Sequence, residues 1–249
     1  MFNSSWGRLI KKNNKPNFIN PISLFSSMLE KEKMQKIYEI QKQMQDKFRN
    51  VPKKGENIDY LGRKFIVFPT VFWPSWDSQA LVKNYSINSG EVVLDLCTGS
   101  GVIAIFSAIK GASKVVALDI NPEAIKCTKE NAIRHNVEKI VDARVSDMFG
   151  ALNNNEKFDV ITINPPFTLH DAKDFAEKTV WDQDLHVQKT FFKNVKKYLK
   201  ISGRIYITGA KWAIETMKET AREKGFSITQ IGETKVDEER VFYAFELKI

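Results

Sequence analysis

Residues 63–249 predict an α/β fold with a mostly parallel sheet covered by helices on both faces. Short apolar, β-branched runs alternate with stretches of helical length. Apolar strands alternating with helices imply βαβ units in a sheet covered on both faces. The last two runs follow each other with no helix between them, so the sheet should end in an antiparallel hairpin.

In chain order, residues 1–19 are polar, Asn/Lys-rich and aperiodic, and predict a mobile tail. Asn20-Pro21 is a helix start, with Asn as N-cap and Pro in the first turn. Ile22, Phe25, Met28, Leu29, Ile37, Ile40, Met44 and Phe48 then recur at helical spacing. One long helix, or two with a break, should run to about Asn50, where Val51-Pro52 stops it. Its methionine stripe reads as a packing face rather than a ligand box. Arg63–Phe72 reads as a strand and Asp77–Tyr85 as a short helix closed by Ser89-Gly90. Strands are predicted at Val92–Leu96, Lys114–Leu118, Ile140–Val145, Asp159–Ile163, Arg204–Thr208, Phe226–Ile231 and Val241–Leu247. Helices fill the gaps at Val102–Lys110, Pro122–His135, Asp184–Leu199 and Lys211–Lys224. A helical N-terminal extension over residues 1–55 is therefore expected ahead of a larger domain over 56–249.

The composition excludes several classes. With 249 residues, 43% apolar and 27% charged, the chain is neither collagen-like nor wholly disordered. No apolar run approaches the ~20 residues of a membrane span, and the N-terminus has no apolar core of a signal peptide. The only cysteines are Cys97 and Cys127, without a CxxC pair, and His135, His170 and His186 are scattered. A disulfide framework or zinc site is not expected, and a reducing cytoplasmic setting is. Residues 1–75 carry 14 Lys/Arg against 6 Asp/Glu, so the whole net charge of +8 sits there. Such asymmetry fits either a solvated lysine-rich helix or an arm that meets a polyanion.

Two motifs carry chemistry. Val92-Val93-Leu94-Asp95-Leu96-Cys97-Thr98-Gly99-Ser100-Gly101-Val102 is a strand, a small-residue turn and a helix start. Gly99 and Gly101 allow a tight turn with an electropositive helix N-terminus beyond. Asp119 closes the next strand, where an acid can accept both hydroxyls of a ribose. The glycine spacing fails the G-x-G-x-x-G pattern of a dinucleotide site. Asp95, at the strand end, repels a pyrophosphate and attracts a cationic amino group such as the methionine end of S-adenosylmethionine. In the second motif, Phe158–Ile163 runs into Asn164-Pro165-Pro166-Phe167. Two prolines stiffen the turn. The Asn164 side-chain oxygen and the Pro165 carbonyl can converge as acceptors on one planar NH₂ group, beside the stacking surface of Phe167. Such nitrogens are poor nucleophiles, so orientation matters more than a strong base.

These motifs resemble those of class I S-adenosylmethionine-dependent methyltransferases, whose first motif reads Asp-x-Gly-x-Gly-x-Gly, with Cys97 standing at the first glycine. Asn164-Pro165-Pro166-Phe167 resembles the Asn/Asp-Pro-Pro-aromatic signature of enzymes acting on adenine N6, guanine N2 or the glutamine amide. Ser146-Asp147-Met148-Phe149 resembles the Ser-Asp-Leu-Phe segment of release-factor and ribosomal-protein glutamine methyltransferases, and Pro74-Ser75-Trp76-Asp77-Ser78-Gln79 resembles their Pro-Arg-x-Asp-Thr-Glu segment, with Ser75 and Gln79 in place of Arg and Glu. The likeness runs from about Phe65 to the C-terminus. It implies a Rossmann-like fold with a seven-stranded sheet, S-adenosyl-L-methionine as cofactor, and cofactor contacts at Asp95, Cys97, Thr98, Gly99, Gly101, Asp119, Ile120, Asp147, Met148 and Asn164. It implies catalytic roles for Asn164, Pro165 and Phe167.

The leading expectation is methyl transfer to a planar nitrogen, first a glutamine amide of a translation-related protein. The alternatives are an adenine or guanine base in RNA or DNA, and a small-molecule nitrogen. A nicotinamide oxidoreductase is disfavoured by the glycine spacing. A binding module without activity is disfavoured because Asp95, Asp119 and Asn164 are all present. His170 and His186 follow the Asn-Pro-Pro-Phe turn and can line an acceptor pocket, though surface placement explains them more simply. Phe72, Trp73 and Trp76 read as core beside the cofactor mouth.

Overall fold

A computed structural model describes the backbone of residues 21–249 and side chains from Leu29 onward. The expected tail over residues 1–19 and the Asn20 cap lie outside the described residues. The chain divides into two compact units, residues 1–37 and 38–249. Between the two alternatives for the N-terminal helical segment, the structure has a single helix, α1, over Pro21–Arg49. Among the described residues no helix is long and apolar enough to cross a membrane.

The elements that follow are β1 (Glu56–Tyr60), β2 (Arg63–Val67), α2 (Trp76–Val82), β3 (Val92–Leu96), α3 (Val102–Ile109), β4 (Lys114–Asp119), α4 (Pro122–Arg134), β5 (Val141–Val145) and β6 (Phe158–Ile163). The chain continues through α5 (Phe175–Lys178), α6 (His186–Tyr198), β7 (Leu199–Ala210), α7 (Ile214–Glu223), β8 (Ser227–Lys235) and β9 (Val241–Lys248). Seven strands form one sheet in the order β5-β4-β3-β6-β7-β9-β8. Pairing is parallel from β5 to β7, and β9 runs antiparallel to β7 and β8. The terminal hairpin is as expected.

Alternation along the strands divides the core into two layers. Val93, Val115 and Val160 face one way and pack with Leu81 of α2, Ile105 of α3 and Ala132 of α4. Leu94, Val116, Ile161 and Ile205 face the other way, against Phe191 and Val195 of α6 and Met217 of α7. Each such side chain removed from water contributes roughly 1.5–3 kcal/mol.

Several boundaries differ from the sequence expectation. The run Arg63–Phe72 is not one strand of the main sheet: β2 ends at Val67 and pairs with β1, which was not expected, as a separate two-stranded sheet. Their turn places Leu61 at φ 47° and Gly62 at φ 76°. Leucine is a poor marker of such a turn, which is normally announced by Asn-Gly or Asp-Gly. Helix α6 begins at His186 rather than Asp184, because Asp184 and Leu185 are left-handed (φ 55° and 54°). Asp182 supplies the cap instead, its carboxylate accepting from the N–H groups of Val187 (3.0 Å) and Gln188 (3.2 Å). Strand β7 starts directly after α6 and is longer than expected, with a register irregularity opposite Phe158 and Val160.

The order of strands decides where a ligand can sit. The chain leaves β3 for β4 and β5 on one side and returns to β6 on the other. Open α/β sheets bind ligands at such a reversal, beyond the carboxyl ends of the strands. Leu96 of β3 pairs with Ile163 of β6, so the glycine turn and the Asn-Pro-Pro-Phe turn leave the sheet side by side.

Candidate active site

The glycine turn is held from three directions. Thr98 N–H donates to the Leu118 carbonyl at the end of β4 (3.0 Å). Thr128 of α4 donates its hydroxyl to the Gly99 carbonyl (3.2 Å), and Asn131 of the same helix donates to the Ser100 carbonyl (2.9 Å). Cys97, Gly99 and Gly101 all have positive φ (56°, 55° and 81°). The cysteine thus occupies a backbone conformation that glycine adopts without strain. At Gly101 a side chain would also collide, since an added Cβ would lie 2.8 Å from Thr128 Cγ2 and 3.0 Å from its Cα.

Asp95 sits beneath this turn. Its side chain is fully buried, and both carboxylate oxygens are engaged, Oδ2 by the Thr98 hydroxyl and Oδ1 by the Thr162 hydroxyl of β6, each at 2.7 Å. The carboxylate fastens the turn to β6. Burial pushes its pKa up to about 7, against the opposing effect of the Thr98 and Thr162 hydrogen bonds.

Asp119, at the end of β4, remains partly exposed. Its Oδ2 accepts from Gly99 N–H and its Oδ1 from Asn121 N–H, both at 2.9 Å. Each oxygen keeps a further lone pair, so the carboxylate can still receive the two hydroxyls of a ribose. Burial nonetheless raises its pKa. Ile120 is exposed just beyond it. After β5, Ser146 N–H donates to the Asp119 carbonyl (2.8 Å) and the Ser146 hydroxyl to the Met148 carbonyl (2.8 Å). That folds Met148 inward at φ 48° and leaves Asp147 half exposed, paired with His186 Nε2 at 3.0 Å. His186 is thus brought to the site. His170 is not placed there by any hydrogen bond: it stacks on Trp181 (centroids 4.0 Å apart). His135 packs against Phe65 at the end of α4.

The Cys97 thiol is a probe of local charge. Burial, together with the carboxylates of Asp119, Asp182, Asp95 and Asp147, holds its pKa well above the usual thiol range. Four carboxylates thus act together on one small side chain at the reversal point, an arrangement that attracts a cation more than an anion. Among the described residues no group of three His, Cys, Asp or Glu side chains is arranged to hold a metal.

Asn164 leaves β6 with its amide bound at both ends. Its Nδ2 donates to Asp77 Oδ2 of α2 at 3.0 Å, and its Oδ1 accepts from the Thr208 hydroxyl of β7. Pro165 and Pro166 follow, and the half-buried Phe167 lies against Trp212 and Phe242, each with centroids 6.4 Å away. Thr168 then accepts from Trp212 Nε1 (3.1 Å) and from Gln41 Nε2 of α1 (2.7 Å). Gln41 in turn accepts from Trp181 Nε1 (2.8 Å). Of the aromatic group before α2, Phe72 and Trp73 pack on Phe48, while Trp76 is half exposed. Sequence reasoning missed the roles of Asp77, Thr162, Thr208, Asp182 and Gln41. Asp77 alone had a signal, its place in the segment likened to Pro-Arg-x-Asp-Thr-Glu.

Two outcomes follow from this geometry. Gly101→Ala should lower unfolding stability by about 1–3 kcal/mol in urea, from strain at positive φ and contact with Thr128; an unchanged midpoint would show that the turn yields freely. Asp95 titrates at about 7 when folded and about 3.9 when unfolded. The folded state therefore binds its proton more tightly, and the stability this contributes is complete below pH ~4 and is lost as pH rises through 7. Asp95→Asn should remove that decline, so wild-type and variant stability curves measured across this window should differ in slope. Parallel curves would contradict the assignment.

Comparison with known proteins agrees with the geometry. Residues 74–230 match the methyltransferase small domain. The chain is 37% identical over 172 residues to a Methanocaldococcus jannaschii protein assigned as a protein N5-glutamine methyltransferase, covering 65% of this chain and 85% of that one. It is 27% identical over 183 residues to the release factor glutamine methyltransferase of Borreliella burgdorferi, covering 68% and 63%. It spans about half (47%) of the corresponding protein of Koribacter versatilis, at 36% identity over 133 residues. Among solved structures, the T. thermophilus 16S rRNA N2 G1207 methyltransferase in complex with AdoMet and guanosine superposes with a TM-score of 0.56 at 20% identity, over 78% of this chain and 50% of that one, a likeness of fold. With the glycine turn and Asp119 at the sheet's reversal point, these matches identify the chain as a member of the methyltransferase small domain family, a class I methyltransferase that uses S-adenosyl-L-methionine.

Proposed function

We propose that this enzyme methylates the side-chain amide of a glutamine in a protein of the translation machinery. The observation that carries the reading is the Asn164 amide, bound at one end by Asp77 and at the other by Thr208, ahead of two prolines and an aromatic ring. The names of the M. jannaschii and B. burgdorferi relatives support the same acceptor. Asp119 would hold the cofactor's ribose, Ile120, Asp147 and Met148 its adenine, and the backbone of Cys97, Thr98, Gly99 and Gly101 its amino-acid end. When bound, S-adenosylmethionine supplies an electrophilic methyl group on a sulfonium. Asn164 Oδ1, with one lone pair taken by Thr208, offers the other to an acceptor N–H, and the Pro165 carbonyl takes the second N–H. Holding both hydrogens turns the nitrogen's lone pair toward the methyl, and Phe167 supports the flat group. A glutamine amide is a weak nucleophile, so its rate depends on this orientation.

Residues 1–55 would serve acceptor binding, and an enzyme with two free cysteines, Cys97 and Cys127, acting on a translation protein fits a reducing cytoplasmic setting. One observation favours a second reading, a purine amino group in RNA: the +8 charge confined to residues 1–75. Incubation with methyl-labelled cofactor and fractionated cell extract separates the two, because the label is recovered in protein for the first and in nucleic acid for the second.

Asp119→Ala should weaken cofactor binding by about 1.5–3 kcal/mol in calorimetry, the scale of charge-assisted hydrogen bonds, and unchanged affinity would remove it from the ribose site. Asn164→Ala should leave cofactor affinity nearly intact and cut single-turnover rate by about 10²–10³. Near-normal turnover would reduce the motif to a rigid corner, and the planar-nitrogen reading would fall with it.

A further inference from the structure

Asp77 has no place in the cofactor contacts, yet it is a nearly fully buried carboxylate (3% exposed) at the start of the short helix α2. A buried acid is costly unless its oxygens find donors. It has two, one on each oxygen: Oδ1 accepts from Ser78 N–H at 2.7 Å, and Oδ2 accepts from Asn164 Nδ2, 87 residues away in the chain, at 3.0 Å. The energetic peculiarity is resolved by what an asparagine requires. The two ends of a carboxamide have nearly the same shape and opposite hydrogen-bonding character. A flipped Asn164 would present N–H donors to an acceptor that is itself an N–H donor, and the site would repel its substrate.

Only an obligate acceptor beside one end decides the matter. Thr208 cannot do so alone, because a hydroxyl both donates and accepts. Ionised Asp77 accepts only, so Nδ2 must face it, Oδ1 must face Thr208, and the free lone pair of Oδ1 is left for the incoming nitrogen. Nearby Tyr60 donates no charge to this corner: burial raises its pKa, and its hydroxyl is shared with Ser78 Oγ at 3.0 Å.

We propose that Asp77 is a positioning residue that sets the amide orientation of Asn164 and thereby makes the enzyme selective for acceptors that donate from an NH₂ group. The proposal rests on the role of Asn164 given above.

The test is a double-mutant cycle on the full chain, with the acceptor fraction that takes the label from methyl-labelled cofactor. Asp77→Ala should lower the single-turnover rate about 10²-fold, the scale of a misplaced reacting group, while the calorimetric affinity for S-adenosylmethionine stays within about twofold. In an Asn164→Ala background the same change should cost less than about twofold, since Asp77 acts through Asn164. Equal losses in both backgrounds would overturn the proposal, as would wild-type turnover in Asp77→Ala while Asn164→Ala is inactive. Wild-type turnover in Asn164→Ala would instead overturn the underlying glutamine-site reading.

Asp77→Asn keeps the volume and guards against a folding defect. It has one oxygen for two donors, so either Ser78 N–H or Asn164 Nδ2 must face another N–H group. Its turnover should fall with the melting temperature retained, and wild-type turnover in this variant overturns the proposal. A readout independent of catalysis is the Asn164 side-chain ¹⁵N–¹H pair, identified by its loss in Asn164→Ala. It should show slow hydrogen exchange in the wild type and exchange at least about tenfold faster in Asp77→Asn; unchanged exchange counts against the proposal.

Discussion

The site depends on one buried carboxylate at the place where the sheet changes direction. Asp95 joins the turn after β3 to β6 through two threonine hydroxyls, at the level where Leu96 pairs with Ile163. Both motifs leave the sheet from this point. A buried charge is tolerated only when its oxygens are satisfied, so Thr98 and Thr162 are required in step with Asp95. The elevated pKa follows from that burial. The glycine turn, drawn down onto Asp95, is then closed from outside by Thr128 and Asn131 of α4. A mobile-looking run of small residues is in this way held rigid, with its amides and Asp119 aimed in a common direction.

The electrostatics around Cys97 suit the cofactor of this family. Asp119, Asp147 and Asp182 join Asp95 in surrounding Cys97. A dinucleotide carries negative phosphates and would meet repulsion there, whereas a sulfonium meets attraction. Burying these acids carries a cost, visible in the raised pKa values of Asp95, Asp119 and Asp182. A bound cation favours their charged forms.

On the acceptor side, control passes outward through hydrogen bonds rather than through further acids. Asn164 is held by α2 and β7, and the segment after it is held by α1, because Gln41 links Thr168 to Trp181. Arg49, at the end of α1, adds ion pairs to Asp174 and Glu177 beside α5. The C-terminal part of the helix thus grips the stretch that follows the reacting group, so a shift of that part of α1 would be felt at Asn164-Pro165-Pro166-Phe167. Networks of this kind give a loop one well-defined arrangement when every member is satisfied.

Much of this protein is legible in its sequence. The apolar periodicity determined the order of strands and main helices from β3 onward, because burial on both faces leaves little choice of polarity along a parallel strand; it gave neither the short α5 nor the ends of α6 and β7. Local chemistry determined the two turns: glycine permits positive φ, and proline stiffens the chain after Asn164. What the sequence left open was whatever depends on partners distant in the chain. The β1–β2 hairpin was hidden because Leu61 at positive φ gives no turn signal. The start of α6 was misplaced because its cap comes from Asp182 across two left-handed residues. That Asp95 fastens the glycine turn to β6 was hidden too, because it depends on the approach of Thr98 and Thr162. Asp77 lies 87 residues from Asn164. No periodicity or spacing encodes such a pair, since a hydrogen bond needs about 3 Å and a defined direction, and tertiary packing alone supplies both.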